Sequence, residues 1–290
     1  CQFLVEVIDN ELPTIACPPD PQTRNTDPNS PTYTVQGTEF DPITSDNCSG
    51  LSITNNINGG ATLDGYAFPV GTRSVTWTSI DAASNQTTCS FDVIITDDQP
   101  PILTCPPDID IQCATNLSPP YATYAEFVAA GGNAVDNNEI SLTSFAFVNT
   151  VISNQTCPNR YTITRTYRIE DLSGNSDQCE QIINVDDQTP PVITGSIFES
   201  TIEGCTSSAA PAPVTTVAGL EALGLSINDV CTPDADLIIT STDDAQGTCP
   251  IIITRTYTIT DACGNYSTYD QIININDQTP PVITGSIFES

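Results

Sequence analysis

The 290-residue sequence contains no histidine and no lysine. Without histidine, the commonest general base, the Ser-His and Cys-His nucleophile pairs and most zinc sites are missing. No apolar run reaches the 18 residues that suggest a membrane-spanning helix. These absences argue against an enzyme and against a membrane span.

Positive charge is also scarce. Six arginines stand against 36 acidic residues, which gives a formal net charge of −30. Such a surface repels nucleic acid and anionic membranes, so neither is expected as a partner. Metal cations are its natural counterions, but excess carboxylate also keeps a surface protein soluble without any ligand. The charge alone leaves both interpretations open.

Cysteine, in contrast, is abundant, with twelve residues. In an acidic chain without histidine or a C-x-x-C pair, these cysteines indicate disulfides rather than metal–thiolate clusters. Disulfides predict an oxidising environment, so we expect an exported protein displayed at the cell surface. Because the sequence has no signal peptide, we also expect it to be an internal piece of a longer protein.

The stretch DQTPPVITGSIFES occurs twice, at residues 187–200 and 277–290. Its first residue belongs to a column of four junction aspartates spaced by 88, 90 and 90 residues: Asp9, Asp97, Asp187 and Asp277. This period is typical of tandem domains with separate cores. We predict three complete repeats, preceded by the last strand of one repeat and followed by the first strand of another; the five segments are 1–11, 12–99, 100–189, 190–279 and 280–290.

Alternating apolar residues predict β-strands in each repeat. In RYTITRTYRIED (160–171), one face carries Ile163, Arg165 and Tyr167. A turn of the type D-x-x-G-N then leads into the last strand. Many short strands in each repeat predict an all-β fold, with tandem antiparallel β-sandwiches of the immunoglobulin or fibronectin III kind, disulfide-linked in an extended array.

Three aromatic residues occupy one column, four residues before these turns, and are expected in the cores: Trp77, Tyr167 and Tyr257. Short helical turns are expected near residues 123–132 and 215–224, because each segment ends on a glycine that is able to terminate a helix. Arg165 and Arg255 share the inward face, so we expect each to pair with a carboxylate or with carbonyl groups.

The cysteine columns are gained and lost in pairs, which suggests the disulfide partners. For example, the third-repeat columns of Cys105 and Cys179 hold Gly195 and Tyr269. Loss of one partner alone would leave a reactive thiol. We predict five bridges: Cys17–Cys89, Cys105–Cys179, Cys113–Cys157, Cys205–Cys249 and Cys231–Cys263. Cys48 is expected to be free or bonded outside the sequence, and Cys1 is expected to bond a cysteine of the preceding repeat.

A series of motifs runs through residues 49–108: F-P-x-G-T, V-T-W, D-x-x-x-N, C-S-F-x-V, D-x-x-P-P and I-x-x-C-P. This series resembles the HYR (hyalin repeat) module. The tandem, cysteine-rich copies resemble the giant surface adhesins of gliding Bacteroidetes, of the SprB type. That resemblance implies type IX export and display as long filaments. It also implies that other parts of the protein contact surface polysaccharide or the gliding machinery.

Acidic residues recur at the expected ends of the repeats. A ten-residue strand of about 33 Å separates the D-x-x-G-N turn from the junction aspartate that follows it, so the turn is expected beside the preceding junction. Three groups of oxygen ligands suited to Ca²⁺ are predicted: Asp9, Asp46, Asp81 and Asn85; Asp97, Asp98, Asp136, Asp171 and Asn175; and Asp186, Asp187, Asp229, Asp261 and Asn265. The alternative is that these residues serve only as turn and cap residues, and no EF-hand loop is present.

The repeats, the cysteines, the charge and the missing catalytic groups together predict a structural role. We expect a stalk segment of a long cell-surface adhesin, with neighbouring repeats of the same chain as direct partners. No cofactor is required, and Ca²⁺ is the candidate ion at the junctions. The alternative is a module that binds carbohydrate or protein through its loops. A glycosidase is disfavoured because no repeat contains a unique carboxylate pair.

Overall fold

The computed structural model describes residues 2–285, which form β-strands and a few short helices. The chain divides into two compact units. Unit 1 comprises the residues up to Pro106, with Tyr121–Val148 and Thr166–Glu180; unit 2 comprises Pro107–Pro120, Asn149–Arg165 and the residues from Gln181 onward. The boundary between the units falls inside the second predicted repeat, and the limits of the repeats stay a prediction.

The strands of the first predicted repeat form one four-stranded sheet and two strand pairs. The sheet has the order β2-β8-β7-β5, and the pairs are β1-β4 and β3-β6. The strands are β1 (Thr14–Ala16), β2 (Gln22–Asn25), β3 (Thr32–Thr34), β4 (Ile43–Ser45), β5 (Ser52–Asn55), β6 (Ala67–Pro69), β7 (Gly71–Ile80) and β8 (Gln86–Thr96).

The second predicted repeat contains the strands β9 (Ile102–Thr104), β10 (Ile109–Ile111), β11 (Asn133–Val135), β12 (Ile140–Cys157), β13 (Arg160–Asp171) and β14 (Ser176–Asp186), with the helix α1 (Tyr124–Ala129). The third contains β15 (Val192–Gly195), β16 (Ser200–Glu203), β17 (Leu225–Asn228), β18 (Ile238–Gly247), β19 (Ile251–Thr260) and β20 (Tyr266–Asn276), with α2 (Val217–Ala222). Their four-stranded sheets have the same order, β10-β14-β13-β12 and β16-β20-β19-β18, and the pairs β11-β9 and β15-β17 accompany them.

The all-β fold is confirmed, but the sheets are not antiparallel throughout as predicted. In each four-stranded sheet, the short edge strand β2, β10 or β16 pairs in parallel with the last long strand of the repeat. Parallel neighbours require a long crossover connection, and here most of the repeat lies between the two paired strands. The alternation of apolar and polar residues cannot reveal the parallel pairing, because a strand has the same alternation whether it pairs in parallel or antiparallel.

The predicted core aromatics are confirmed. Trp77, Tyr167 and Tyr257 are 0%, 0% and 1% exposed, each in a separate hydrophobic cluster. The Trp77 indole donates to the carbonyl of Phe40 at 3.1 Å. The Tyr167 and Tyr257 hydroxyls accept from backbone N–H groups of the same repeat, at 3.4 and 3.3 Å. The polar atom of each buried ring is therefore satisfied, which keeps its burial favourable.

Both predicted helical turns are present as six-residue helices. Thr123 and Thr216 cap them, since each threonine hydroxyl accepts a backbone N–H three residues ahead at 3.2 Å. Gly131 and Gly224 follow with φ of +103° and +112°, a conformation that favours glycine. Within residues 2–285, no helix is long and apolar enough to cross a membrane.

The segments predicted as partial strands at the two sequence ends differ from expectation. Residues 2–12 and 280–285 contain no strand. A strand forms only where its backbone groups pair with a neighbour, and these residues have no strand partner among those described. The predicted bond of Cys1, like residues 286–290, lies outside the described residues.

Four disulfides link described cysteines. Cys17–Cys89 and Cys105–Cys179 have the partners inferred from the sequence columns. The other pairings need correction: Cys113 bonds Cys231 and Cys157 bonds Cys263, so both bridges join the second predicted repeat to the third. Three further cysteines, Cys48, Cys205 and Cys249, are free and exposed.

The error has a physical reason. The spacing of 44 residues in Cys113…Cys157 and Cys205…Cys249 reflects equivalent positions in two repeats. Equivalent positions reveal which cysteines share an environment, but they do not reveal whether a partner lies in the same repeat or in the next. Cys205 and Cys249, predicted to bond each other, are both free thiols.

The two inward-facing arginines have the expected kinds of partner. Arg165 donates to the carbonyl oxygen of Ser118. Arg255 donates through Nε and Nη2 to both carboxylate oxygens of Asp243, at 2.7 and 2.8 Å. The Arg255 side chain is 4% exposed and that of Asp243 is 38% exposed. The pair thus connects β19 to its neighbour β18 and satisfies a buried guanidinium.

We predict that Asp243→Asn lowers the free energy of unfolding by about 2 kcal/mol, because it leaves a buried guanidinium without its counter-charge. The hydrogen bonds from Arg255 hold the pKa of Asp243 below its ordinary value. The contribution is therefore complete above about pH 4 and is lost as the pH falls through the lowered pKa. Urea denaturation at pH 7 and pH 3 measures both effects. Asp244→Asn, whose carboxylate bonds only Gln246, is the control; an equal loss in both variants would contradict the prediction.

Candidate functional site

Three groups of aspartates have carboxylate oxygens within 4.8 Å of one another. Two oxygens that each lie about 2.4 Å from one Ca²⁺ are at most about 4.8 Å apart, so this spacing suits a single ion. In each group, one aspartate ends a predicted repeat and two belong to the next. We name them cluster 1 (Asp9, Asp46, Asp81), cluster 2 (Asp97, Asp136, Asp171) and cluster 3 (Asp187, Asp229, Asp261).

The junction aspartates are positioned by the turn that opens each linker. In Asp9, Asp97 and Asp187, Oδ1 accepts the backbone N–H of the residue two positions ahead, at 3.1, 3.2 and 3.2 Å. Aspartate favours such side-chain turns. Asp97 is 6% exposed and Asp187 is 0% exposed. The linker turn thus uses one carboxylate oxygen and leaves the other available.

The second aspartate of each cluster lies in the column Asp46, Asp136 and Asp229. Its carboxylate also accepts the backbone N–H two residues ahead, at 3.1, 3.1 and 2.9 Å. The predicted tie between Cys231 and Cys263 is wrong, yet this column does lie beside the D-x-x-G-N turns. One oxygen of each carboxylate again accepts a backbone N–H, and the other has no hydrogen-bond partner.

The third aspartate of each cluster begins a D-x-x-x-N turn. In Asp171, for example, Oδ1 accepts the backbone N–H of Asn175 at 2.8 Å and Oδ2 accepts its side-chain N–H, also at 2.8 Å. The same Asn175 amide donates to the carbonyl of Asp97 at 3.0 Å. The other two turns repeat this arrangement: Asp81 with Asn85 and Asp9, and Asp261 with Asn265 and Asp187.

These bonds give the asparagines a positioning role. The Nδ2 groups of Asn85, Asn175 and Asn265 face two oxygens each, so these side chains are donors that hold the turn against the preceding linker. They position the clusters, and their predicted role as ion ligands stays a prediction. The turn aspartates Asp81, Asp171 and Asp261 are almost fully buried, with 5%, 3% and 2% exposed.

The clusters leave buried oxygens without hydrogen-bond partners. Within residues 2–285, every unpartnered buried aspartate oxygen belongs to one of the three clusters: Asp46 Oδ1, Asp97 Oδ2, Asp136 Oδ1, Asp187 Oδ2 and Asp229 Oδ2. A buried polar atom without a partner is costly, and a buried charge more so. Two such oxygens lie in cluster 2 and two in cluster 3, which are therefore the stronger candidates for a cation.

The electrostatics agree with this geometry. Burial raises the pKa of Asp187, and the nearby charges of Asp261 and Asp229 raise it further. Burial likewise raises the pKa of Asp136, assisted by Asp97 and Asp171. A raised carboxyl pKa means that the ionised form lacks sufficient compensation. A bound cation would supply the missing positive charge.

Two predicted members do not join the clusters. Asp98 is exposed and accepts a hydrogen bond from Asn25. Asp186 pairs with Arg160 at 2.8 Å, and this hydrogen bond lowers the pKa of Asp186. Adjacent residues of an extended segment point to opposite sides, so only one aspartate of each Asp-Asp pair faces its cluster.

Asn137 is a candidate ligand that the sequence did not identify. Its Nδ2 donates to Asp97 Oδ1 at 3.2 Å and to the carbonyl of Ser30 at 2.9 Å, while its Oδ1 is buried without a partner. The equivalent positions hold Asn47 and Val230. Asparagine thus recurs in the first repeat but not in the third, so this column gives a weaker signal than the columns of recurring aspartates.

The donor set is one of hard oxygens. Carboxylates, joined in cluster 2 by the Asn137 amide oxygen, suit Ca²⁺, whereas zinc sites rely on histidine and cysteine. The residues present therefore fit Ca²⁺, whose chemistry here would be the neutralisation of buried charge. Clusters 2 and 3 meet this requirement best, because each contains two buried carboxylate oxygens without a hydrogen-bond partner.

Comparison with known proteins agrees with the sequence motifs. Residues 8–95 match the HYR domain. Hyalin from Lytechinus variegatus is 30% identical over 242 residues, which cover 76% of this chain and 40% of Hyalin. The chain thus spans less than half the length of that curated relative.

Solved structures with some likeness include mouse cadherin-23 EC22-24, with 12% identity, a TM-score of 0.32, and coverage of 92% of this chain and 100% of that chain. Mouse protocadherin-24 EC1-3 has 11% identity and a TM-score of 0.30, covering 90% of this chain and 99% of that chain. TM-scores of this size do not establish a common fold. The HYR-like first repeat and the four disulfides support an extracellular, adhesion-type module.

We predict that Asp136→Asn raises the free energy of unfolding by about 1 kcal/mol in excess chelator, because it removes one of three mutually repelling charges. The substituted amide retains an oxygen for the Asn138 N–H, the present partner of Asp136 Oδ2. Chemical denaturation in EDTA measures the change. Asp98→Asn, at an exposed neighbouring position, should change stability by no more than about 0.5 kcal/mol. Marked destabilisation by Asp136→Asn in EDTA would show that the charges are already compensated.

Proposed function

We propose that this chain is a stalk segment of an extracellular adhesion protein, in which Ca²⁺ at the aspartate clusters fixes each repeat to the next. The stalk holds a binding region of the full protein away from the cell and performs no catalysis. Its direct partners are neighbouring repeats. Display on a gliding cell through type IX export follows only from the resemblance to gliding adhesins and stays part of the proposal.

The observation that carries this proposal is the junction around cluster 3. Asp187 comes from the end of one predicted repeat, and Asp229 and Asp261 come from the next. Two disulfides join the same two repeats, and their cysteines Cys231 and Cys263 donate backbone N–H groups to Asp229 and Asp261, at 2.9 and 2.8 Å. Covalent bonds and candidate ion ligands thus occupy one junction.

The expected gain from the ion is substantial. Extracellular modules bind Ca²⁺ with dissociation constants of about 0.1–1 mM. For one site of about 0.1 mM, a Ca²⁺ concentration 100 times higher stabilises the folded state by about 2.7 kcal/mol. This gain already includes the neutralisation of the buried carboxylate oxygens by the ion. The protein would be stiff at the junctions in calcium-rich surroundings.

Calorimetry on the chelator-treated chain tests the ion. We expect saturable Ca²⁺ binding, together with a rise in melting temperature at 10 mM Ca²⁺ of several degrees, in line with a gain of a few kcal/mol. Asp187→Asn should remove one site, because it replaces a fully buried ligand of cluster 3. Asp98→Asn is the matched control and should bind as the parent does. Absence of both heat and a melting shift at 10 mM Ca²⁺ would refute the calcium sites.

Electron microscopy of the full native protein tests the stalk. In Ca²⁺ we expect a filament with beads at a regular spacing, and in chelator we expect bends at the junctions. A single particle without repeating beads would contradict the stalk even if Ca²⁺ binds. Regular beads that are unchanged by chelator would leave the stalk intact and remove the role of the ion.

A further inference from the structure

Cys205 and Cys249 form a pair of exposed free thiols in unit 2. The Cys205 thiol donates a hydrogen bond to Asp277 Oδ2 at 3.4 Å. Asp277 is the junction aspartate that ends the third predicted repeat, so this thiol pair lies beside a junction residue. The two sulfurs also lie within hydrogen-bonding reach of each other.

The position of this pair in the fold is that of Cys113 and Cys157 in the preceding repeat. Cys113 and Cys205 each lie two residues beyond a parallel edge strand, β10 or β16, and shortly before a 3₁₀ turn. Cys157 ends β12, and Cys249 lies in the turn between β18 and β19, the corresponding hairpin. Both cysteine pairs therefore belong to the same end of their repeats.

In the preceding repeat, these two cysteines do not bond each other. Cys113 bonds Cys231 and Cys157 bonds Cys263. The partners Cys231 and Cys263, which we call the acceptor cysteines, belong to the second repeat of the junction. Cys231 follows Asp229 by two residues, and Cys263 follows Asp261 by two residues, in the turns that build cluster 3. A junction of this type is thus a double disulfide around an aspartate cluster.

We call Cys113 and Cys157 the donor half of this junction, because they come from its first repeat. We propose that Cys205 and Cys249 are the donor half of another such junction. Their partner is a module that carries one cysteine two residues after a cluster aspartate, as Cys231 does, and a second cysteine in its D-x-x-G-N turn, as Cys263 does. Asp277 would join the aspartates of that module as Asp187 joins Asp229 and Asp261. The partner module belongs either to the same polypeptide or to another one.

The acceptor half also occurs in the chain as a free thiol. Cys48 follows Asp46 by two residues and donates its N–H to Asp46 Oδ2 at 3.1 Å, as Cys231 does to Asp229. The turn of this repeat holds Ala83 where the third repeat holds Cys263. The first repeat therefore has one of the two acceptor cysteines, so it is able to take a single bridge but not the double bridge proposed for Cys205 and Cys249.

The chemistry is thiol–disulfide exchange with a small-molecule disulfide as the oxidant. The Cys205 thiolate attacks the oxidant, forms a mixed disulfide and releases one thiol. The partner cysteine thiolate then attacks the Cys205 sulfur, forms the protein disulfide and releases the second thiol. Two protons leave the protein thiols and two thiols of the reduced oxidant appear, so each bridge is balanced; Cys249 reacts in the same way.

The test is a disulfide map of the full native protein, taken from its cells with free thiols alkylated at lysis. We expect the Cys205 and Cys249 peptides to be joined to peptides that contain cysteine in the two acceptor contexts. Partner peptides from the same polypeptide and partner peptides from another one distinguish the two sources, and either supports the proposal. A Cys205–Cys48 bridge with Cys249 alkylated contradicts it, because the first repeat holds Ala83 in place of the turn cysteine. A Cys205–Cys249 bridge, or alkylation of both residues, overturns it.

Cys205→Ser provides a second readout. If the two cysteines bond separate partner residues, Cys249 should stay bridged in this variant and resist alkylation as in the parent. If they bond each other, Cys249 becomes a free thiol and is alkylated. The Cys17–Cys89 peptide, a bridge within the first repeat, controls for loss of disulfides during handling. The result does not depend on Ca²⁺, so it can fail while the calcium sites hold.

Discussion

Repulsion among buried carboxylates is the constraint around which these junctions are built. Asp187, Asp229 and Asp261 bring three negative charges into one small volume, and Asp187 is fully buried. Backbone N–H groups and the Asn265 amide satisfy some of their oxygens. Arg160 donates to the Asp187 carbonyl at 2.7 Å and partly offsets the charge, yet the pKa of Asp187 stays raised. The same residues that shape the turns therefore create the demand for a cation.

Much of the local structure follows from sequence pattern. Period-two alternation placed Ile163, Tyr167 and Tyr257 in the cores, because side chains of a strand alternate between faces. The column of recurring aspartates identified all nine cluster members, since a repeated fold brings equivalent residues to equivalent positions. Asn137 escaped this reasoning because its column holds asparagine in two repeats but valine, Val230, in the third. The parallel edge strands escaped it because alternation carries no direction.

The disulfides mark the limit of column arguments. Paired loss of cysteines identified Cys17–Cys89 and Cys105–Cys179, whose partners lie within one repeat. The same logic fails for Cys113 and Cys157, because a bridge to the next repeat and a bridge within one repeat give the same pattern of cysteine positions in the sequence. The distances between cysteines at the junction decide whether a bridge forms within one repeat or between two. The resulting pattern is directional, with donor cysteines at one end of a repeat and acceptors at the other.

The crossed bridges also set how the polypeptide would respond to pulling. Cys113–Cys231 encloses a sequence separation of 118 residues. Tension entering at Cys113 is able to pass through sulfur directly to Cys231, so the enclosed segment cannot be pulled to its full length while the bridge is intact. Fully extended, that segment would contribute about 400 Å of contour length. A reducing agent would release this hidden length, so the oxidation state of the surroundings determines how far the molecule stretches before it breaks.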